Sequence, residues 1–333
     1  MSSILIYIGG FIGCATLIIF SGSRLSRYGD IVAELSGMGK AWFGLILMAA
    51  VTSMPELFTG ISSVTIVGSP DIAVGDIMGS CAFNLLILAI LDYFVRGKPI
   101  TSVVTKSHIL AGFFSIALMT VAVIAIVFGK NLPVIGWFSS STIVLIALYL
   151  FSIRVIFKNE QRNNLAQPAA ANITSLINLS TAIRYYIFFG LLVIIGAVAL
   201  PFFADNLAER SGISKSFVGT LLVAGATSLP ELVVSIAAVR IGSMDIAVGN
   251  LLGSNLFNLF ILSLDDLLYT KGPLLAVADP NHALSGLATL LMTSVAGIGI
   301  VFSLPTKRFI LALDAVILLA IYLSLIATLF YLK

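Results

Sequence analysis

The hexapeptide Thr52-Ser53-Met54-Pro55-Glu56-Leu57 lies inside an apolar stretch, and it recurs 175 residues later (231 minus 56) as Thr227-Ser228-Leu229-Pro230-Glu231-Leu232. Self-similarity at a fixed offset is typical of chains built from two structural repeats. Two more segments return in the same order: 71–75 returns as 245–249, and 79–84 returns as 253–258. The sequence therefore predicts two related halves, each carrying one copy of the Pro-Glu motif.

Composition places both halves in a membrane. Of the 333 residues, 59% are hydrophobic and 10% are charged, and the mean hydropathy is +1.12. A soluble domain usually carries about 25% charged residues. Windows of about 20 residues predict ten apolar spans. Their centres lie near Ile12, Leu47, Leu86, Leu118, Val144, Leu192, Leu222, Leu256, Leu291 and Leu319.

These spans predict an all-α polytopic membrane protein made of two inverted five-helix repeats. The copies lie five spans apart, and because five is odd, equivalent helices must cross the membrane in opposite directions. We expect a first repeat over 1–157 with its motif at 44–84, a polar connector over 158–181, and a second repeat over 182–333 with its motif at 219–258. Proline and glycine in the motifs predict that helices 2, 3, 7 and 8 are broken around a central ion site, with a close approach of helices as the alternative at Gly79 and Gly253.

The basic residues predict the orientation. With the amino terminus outside, thirteen lysines and arginines lie on the inner side and five on the outer side, which follows the positive-inside tendency. This places the connector over 158–181 in the cytoplasm and favours a multi-pass protein of the plasma membrane. The first span is followed by Arg24 and Arg27 rather than preceded by basic residues, so we interpret it as a retained helix.

The two glutamates are the strongest functional signal. A charged side chain at the centre of a membrane helix costs about 2.5 to 3.5 kcal/mol on the insertion scale. Glu56 and Glu231 both lie within apolar spans, and no lysine or arginine is near either one in sequence. The missing partner of both carboxylates is therefore predicted to be a cation.

The residues around the glutamates supply the oxygen atoms that a hard cation prefers, since Ca²⁺ takes about 6 to 8 oxygen ligands. A helical proline removes the hydrogen bond to the carbonyl four residues earlier, so Pro55 and Pro230 would free the Val51 and Ala226 oxygens. Ser80 and Ser254 could instead be helix-packing residues. The candidate oxygen ligands besides the glutamates are Thr52, Ser53, Thr227, Ser228, Ser80, Ser254, Asn84 and Asn258.

The other polar residues of the spans receive weaker interpretations. Asp71 and Asp245 are predicted to be helix N-caps. Asp76 stands where the second repeat has Asn250, and it is left open between an ionisable group near the ion pathway and a capped residue. Residues predicted near helix ends and water, or at the membrane interface, are Asp92, Asp265, Asp266, Asp314, His108 and His282.

The paired Thr-Ser-x-Pro-Glu motifs, each followed by Gly-Ser-x-x-x-Asn, resemble the alpha repeats of the calcium/cation antiporter superfamily, and in particular a prokaryotic sodium/calcium exchanger. The resemblance implies a secondary active antiporter of Ca²⁺ and Na⁺ that works by alternating access and needs no cofactor. It makes Glu56 and Glu231 the central ligands and adds the carbonyls of Ala49 and Ala224 as sodium ligands. It also implies that the first and sixth spans are a long tilted pair that slides across the rest.

Some residues depart from the family pattern. Val51 and Ala226 replace the usual glycine, and Asp76 replaces an asparagine. Potassium-dependent relatives have an aspartate where this chain has Asn258, which argues against potassium dependence. Proton-coupled calcium exchangers resemble a different motif, Gly-Asn-Ala-x-Glu, so H⁺/Ca²⁺ exchange is the alternative rather than the first choice.

Two further protein classes are alternatives to a transporter. A passive cation channel would use the same ligands without alternating access. An intramembrane aspartyl protease is suggested only by Gly75-Asp76, and its second aspartate would fall at Asn250, which cannot form an acid dyad. The expectation is therefore a transporter rather than an enzyme, monomeric, in contact with lipid and not with nucleic acid.

Overall fold

The computed structural model describes residues 2–35, 48–164, 177–303, 306–307 and 309–332, and it is almost entirely helical. A π-helical turn, Ser63–Val67, extends the third helix, and a short hairpin of β1 (Val134–Ile135) and β2 (Phe138–Ser139) precedes the seventh. The helices of the first half are α1 (Ser2–Leu35), α2 (Met48–Thr52), α3 (Met54–Ser62), α4 (Pro70–Phe94), α5 (Ile100–Val103), α6 (His108–Phe128) and α7 (Ser140–Asn164).

The second half repeats this order of elements. A π-helical segment, Val218–Val223, joins its second and third helices. The helices are α8 (Leu179–Ser211), α9 (Lys215–Phe217), α10 (Ala224–Thr227), α11 (Leu229–Arg240), α12 (Met244–Leu268), α13 (Leu274–Val277), α14 (His282–Phe302) and α15 (Leu313–Tyr331). In sequence order α2, α3 and α4 therefore correspond to α10, α11 and α12.

The long helices confirm a polytopic membrane protein. Within the described residues, eight helices are long and apolar enough to cross a bilayer, and the bent pair Lys215–Thr227 with Leu229–Arg240 makes a ninth. Ten spans were predicted. The remaining one is centred near Leu47, which lies outside the described residues, and its described part includes the shorter apolar helix Met54–Val67.

Contacts at the helix ends show that equivalent helices run in opposite directions. Gly68, just before α4, faces Lys271, just after α12: a Cβ on Gly68 would lie 3.4 Å from the Lys271 Nζ. The helix α4 therefore begins at the membrane face where α12 ends. We call this the Gly68 face, and we call the opposite one, where α4 ends and α12 begins, the Gly97 face. This arrangement confirms the predicted inversion.

Asp71 and Asp245 join the two halves rather than cap their helices. The N-cap positions belong to Ser69 and Ser243. Asp71 Oδ1 accepts a hydrogen bond from the Asp279 amide at 2.7 Å and lies 3.3 Å from His282 Nε2. The interpretation as N-caps was wrong because each carboxylate finds its donors in the other half of the molecule.

The equivalent contacts of Asp245 lie at the Gly97 face. Asp245 Oδ1 accepts from the Thr105 amide at 2.7 Å and lies 2.9 Å from His108 Nε2. Both histidines are buried in the protein, each at the first residue of its helix, and their predicted place at the membrane interface stays a prediction. Each aspartate-histidine pair therefore links the start of a long helix in one half to the start of a helix in the other.

The proline motifs break two spans as predicted. Ser53 separates α2 from α3 with φ −85° and ψ 13°, and Ser228 separates α10 from α11 with φ −89° and ψ 5°. The axis of the second broken span bends by 44° at this point. Pro55 and Pro230 lack the amide that would continue the preceding helix, so a new helix starts just before each proline.

The predicted breaks in helices 3 and 8 were wrong. Helices α4 and α12 each run unbroken for 25 residues. Gly79 serves close packing instead, because a Cβ there would lie 2.3 Å from the Thr220 carbonyl oxygen and 2.6 Å from the Thr220 Cα. Small residues let two backbones approach in this way in membrane proteins.

The first and sixth spans are the longest helices described. α1 has 34 residues and α8 has 33. At about 1.5 Å per residue each is about 50 Å long, whereas the hydrocarbon core of a bilayer is about 30 Å thick, so both helices must tilt or extend beyond it. They pack side by side: a Cβ on Gly196 would lie 2.9 Å from Ile18 Cγ1, and the Tyr28 and Tyr185 rings stack at 4.9 Å.

A buried ion pair lies at the Gly97 face. Lys307 Nζ lies 2.9 Å from Asp92 Oδ2 and donates to the Val95 carbonyl at 2.8 Å, and the two paired side chains are 4% and 1% exposed. Asp92 also accepts from the amides of Ile100 and Ala312, each at 2.8 Å. The prediction that Asp92 lies near water was therefore wrong, because these donors enclose it.

We expect Lys307→Met to destabilise the protein strongly, since removing one partner of a buried ion pair costs about 3 to 5 kcal/mol. The measurement is the thermal unfolding midpoint in detergent. Lys271→Met is the matched control, because Lys271 is exposed at the other face. Equal midpoints for the two variants would show that the pair contributes nothing to stability.

Candidate ion-binding site

The two motif glutamates lie in the first turn of the helices that follow the breaks, Glu56 in α3 and Glu231 in α11. Both side chains are fully buried. In each carboxylate, Oε2 has no hydrogen-bond partner among the described residues. Because an unpaired buried carboxylate oxygen is costly, each one requires a proton or a cation.

The serine of each motif bonds the glutamate of the other. Ser228 Oγ donates to Glu56 Oε1 at 2.9 Å, and Ser53 Oγ donates to Glu231 Oε1 at 3.3 Å. These reciprocal bonds bring the two breaks together, so the carboxylates of the two halves share one site. This arrangement agrees with the sequence expectation that the two acids converge.

The motif threonines contact the companion helices in the same reciprocal way. Thr52 Oγ1 lies 3.3 Å from Ser254 Oγ, and Thr227 Oγ1 lies 3.4 Å from Ser80 Oγ. Ser80 also donates to Glu56 Oε1 at 3.4 Å. The structure therefore brings both predicted serines of α4 and α12 to the motif threonines, and Ser80 also to Glu56.

The carbonyls of Ala49 and Ala224 already accept hydrogen bonds. The Ala49 oxygen accepts from the Ser53 amide at 3.0 Å and from Thr52 Oγ1 at 3.2 Å. The Ala224 oxygen accepts from the Ser228 amide at 3.0 Å and from Thr227 Oγ1 at 3.2 Å. Each threonine hydroxyl has one proton and a second acceptor, Asn250 for Thr52 and Asp76 for Thr227, so either carbonyl oxygen can take a cation while the hydroxyl donates to that second acceptor.

The asparagines lie deeper along α4 and α12. Asn84 Nδ2 donates to Asn255 Oδ1 at 2.9 Å, and Asn255 Nδ2 donates to the Cys81 carbonyl at 3.2 Å. The Asn84 Oδ1 and both polar side-chain atoms of Asn258 have no partner among the described residues. Asn255 was not a predicted site residue. The sequence signal for it is that it stands where the first repeat has Cys81, at one of the two positions that differ between 79–84 and 253–258.

Asp76 belongs to this cluster, which decides the alternatives left open for it. Its Oδ1 accepts from Thr227 Oγ1 at 2.8 Å and from Ser80 Oγ at 3.4 Å, and its Oδ2 has no partner among the described residues. It lies inside α4 rather than at a cap. The equivalent Asn250 accepts from Thr52 Oγ1 at 3.3 Å, so the site is symmetric in position but not in charge.

The site offers a cation many oxygen atoms, and its two glutamates, Glu56 and Glu231, take part in none of the ion pairs found among the described residues. In the same residues, no three carboxylate, imidazole or thiol side chains are placed to hold a metal by themselves. Hydroxyl and amide oxygens would therefore have to complete the coordination, which is typical of Na⁺ and Ca²⁺ rather than of zinc.

Comparison with curated proteins finds relatives that match most of the chain and relatives that match part of it. The chain is 28% identical over 282 residues to the inner membrane protein YrbG of Escherichia coli, covering 84% of this chain and 83% of that one. It is 37% identical over 140 residues to the sodium/calcium exchanger MaX1 of Methanosarcina acetivorans, covering 42% of this chain and 38% of that one.

Solved structures share the fold. The sodium-calcium exchanger NCX_Mj superposes with a TM-score of 0.64 at 23% identity, covering 98% of this chain and 99% of that one. The H⁺/Ca²⁺ exchanger CAX superposes with a TM-score of 0.69 at 13% identity, covering 98% of this chain and 86% of that one. At these identities the likeness establishes the helical architecture and nothing finer.

The model of the family described as "Sodium/calcium exchanger protein" matches residues 6–158 and 181–331, which is most of the chain. The two matched segments each contain one Pro-Glu motif. A transporter family also removes the protease alternative. The chain is a member of the sodium/calcium exchanger protein family.

Proposed function

We propose that the chain exchanges Ca²⁺ for Na⁺ across the plasma membrane by alternating access, with the ion held between Glu56 and Glu231. The observation that carries the proposal is the reciprocal pairing of Ser228 with Glu56 and Ser53 with Glu231, which joins two buried carboxylates in one site. Two glutamates neutralise one Ca²⁺ or two Na⁺. Competition of both ions for the same oxygens is what an antiporter requires.

The remaining ligands would come from the residues that the structure gathers around these carboxylates. We assign hydroxyl ligands to Thr52, Ser53, Thr227 and Ser228, and further ligands to Ser80, Ser254, Asn84, Asn258 and the carbonyls of Ala49 and Ala224. The proposed orientation puts the amino terminus outside and the connector over 158–181 in the cytoplasm. In that orientation the Gly97 face, with Arg96, Lys98 and Arg240 near its helix ends, is the inner face.

Reconstituted transport tests the coupling. Purified protein in liposomes loaded with Na⁺ should take up ⁴⁵Ca²⁺ when the outside is free of Na⁺, and an imposed pH gradient without Na⁺ should drive no uptake. Liposomes without protein are the control. Uptake driven by the pH gradient alone would instead establish H⁺/Ca²⁺ exchange, and uptake independent of any counter-gradient would establish a channel.

A further inference from the structure

Asp265 is a buried carboxylate that the central site does not use. Its side chain is fully buried, and neither Oδ1 nor Oδ2 has a hydrogen-bond partner among the described residues. It packs against the backbone of Gly60, because a Cβ on Gly60 would lie 2.4 Å from Oδ2 and 2.6 Å from Oδ1. The sequence expectation that Asp265 lies near water was therefore wrong, and the carboxylate requires a proton or a cation.

Asp265 lies between the glutamates and the Gly68 face. Gly60 is one helical turn beyond Glu56 on the same face of α3, so the carboxylate stands about one turn from the central site. Asp265 is also three residues from the end of α12 at Leu268. A surface pocket lined by residues 64–68 and 268–271 opens just beyond it.

The inverted repeat gives this position a precise counterpart. The residue 174 positions before Asp265 (265 minus 91) is Leu91, near the end of α4 at the Gly97 face. Leu91 is fully buried and apolar. One side of the central site therefore carries a buried carboxylate where the other side carries a hydrocarbon side chain.

Asp76 also adds a carboxylate on the Gly68 side of the site that the Gly97 side lacks. It lies six residues after the start of α4, between Ser80 and the Gly68 face, whereas its counterpart Asn250 lies on the Gly97 side. On the Gly97 side Lys307 neutralises the buried Asp92, whereas the equivalent Asp266 on the Gly68 side accepts backbone hydrogen bonds and joins none of the ion pairs found among the described residues. Each of these differences makes the Gly68 side of the site more negative than the Gly97 side.

We infer that Asp265 and Asp76 form a one-sided cation approach, along which Ca²⁺ or Na⁺ passes between the Gly68 face and the central glutamates. The approach deepens the proposed function and rests on it. Fixed negative charges along a path of low dielectric attract cations and raise their local concentration. A proton or a bound cation neutralises Asp265, and an arriving cation replaces it.

The test measures calcium affinity from each face separately. Half-saturating ⁴⁵Ca²⁺ concentrations are determined in right-side-out and inside-out vesicles for the wild type, Asp265→Asn and Asp265→Leu, with whichever gradient drives the wild type. We expect both variants to raise the half-saturating concentration from the Gly68 face by about tenfold and to change it from the Gly97 face by less than about twofold. Asp265→Leu copies the natural residue at position 91.

Equal shifts from both faces, or no shift from either, would overturn the one-sided approach. If neither variant reaches the membrane, the role of Asp265 is structural and the inference is rejected. The two proposals fail differently: a wild-type protein driven only by a pH gradient refutes sodium coupling but leaves the side difference measurable. A wild type that carries no calcium under any gradient refutes both.

Discussion

Glu56→Gln and Glu231→Gln should each abolish sodium-driven calcium uptake, lowering the initial rate at least about 100-fold. Each change removes the charge of one of the two central glutamates, both fully buried, while keeping the size of the side chain. Two buried carboxylates around one divalent ion contribute most of the binding energy, and a neutral amide cannot balance the second charge of Ca²⁺. The measurement is ⁴⁵Ca²⁺ uptake into sodium-loaded liposomes.

Glu209→Gln is the matched control for this experiment. Glu209 lies on the exposed surface of α8, where its side chain is 61% exposed and 3.1 Å from Lys215. Exposed ion pairs contribute about 0 to 1 kcal/mol, so this variant should transport like the wild type. Equal thermal midpoints for all three variants would show that the glutamine proteins are folded. Wild-type uptake by either motif variant would refute the assigned site.

Gly79→Ala should destabilise the protein strongly. The added Cβ would collide with the Thr220 backbone, which belongs to the π-helical segment before α10 and cannot turn away as a side chain could. Overpacking of a core costs about 1 to 3 kcal/mol even where side chains can adjust, so we expect at least about 3 kcal/mol here. The measurement is the thermal unfolding midpoint in detergent, together with the yield of folded protein.

Gly225→Ala is the comparison for Gly79→Ala. A Cβ at Gly225 would find its nearest atom, Phe83 Cε2, 4.0 Å away, so the same chemical change should be tolerated. Gly225 lies in α10, close to the same helix contact. If both alanine variants unfold at the wild-type temperature, the contact of α4 with the π-helical segment is looser than described.

The sequence was sufficient for the parts of the fold that depend on local chemistry. Pro55 and Pro230 predicted the breaks at Ser53 and Ser228 because a missing amide acts on its own helix. The offset of five spans between the motifs predicted the inversion because five is odd. The prediction of breaks in α4 and α12 was wrong. A glycine such as Gly79 can either break a helix or let another backbone approach closely, and the position of Thr220 shows that Gly79 does the second.

Partners from the other half were harder to predict. Asp71 and Asp245 looked like N-caps because that interpretation needs only their own helices, whereas their donors lie in the opposite repeat. A signal was present, since His108 and His282 are also 174 residues apart (282 minus 108). Repeated polar residues that share one offset predict repeated contacts between the halves.

Asp76 and Asp265 are polar residues that the other repeat does not share. Hydropathy shows that both lie in apolar spans, but it does not show which carboxylates meet. Asp76 joins the central cluster through Thr227, a contact across 151 positions, and Asp265 meets Gly60 of the other half. The sequence signal is the difference between the repeats: Asp76 corresponds to the neutral Asn250, and Asp265 corresponds to the apolar Leu91.

The central claim is that Glu56 and Glu231 hold one divalent cation between them. An anomalous difference map from crystals grown with and without calcium tests it most directly. The account predicts one strong peak about 2.3 to 2.6 Å from a carboxylate oxygen of each glutamate, abolished by excess Na⁺. A calcium peak elsewhere, or one that touches only a single glutamate, would contradict it.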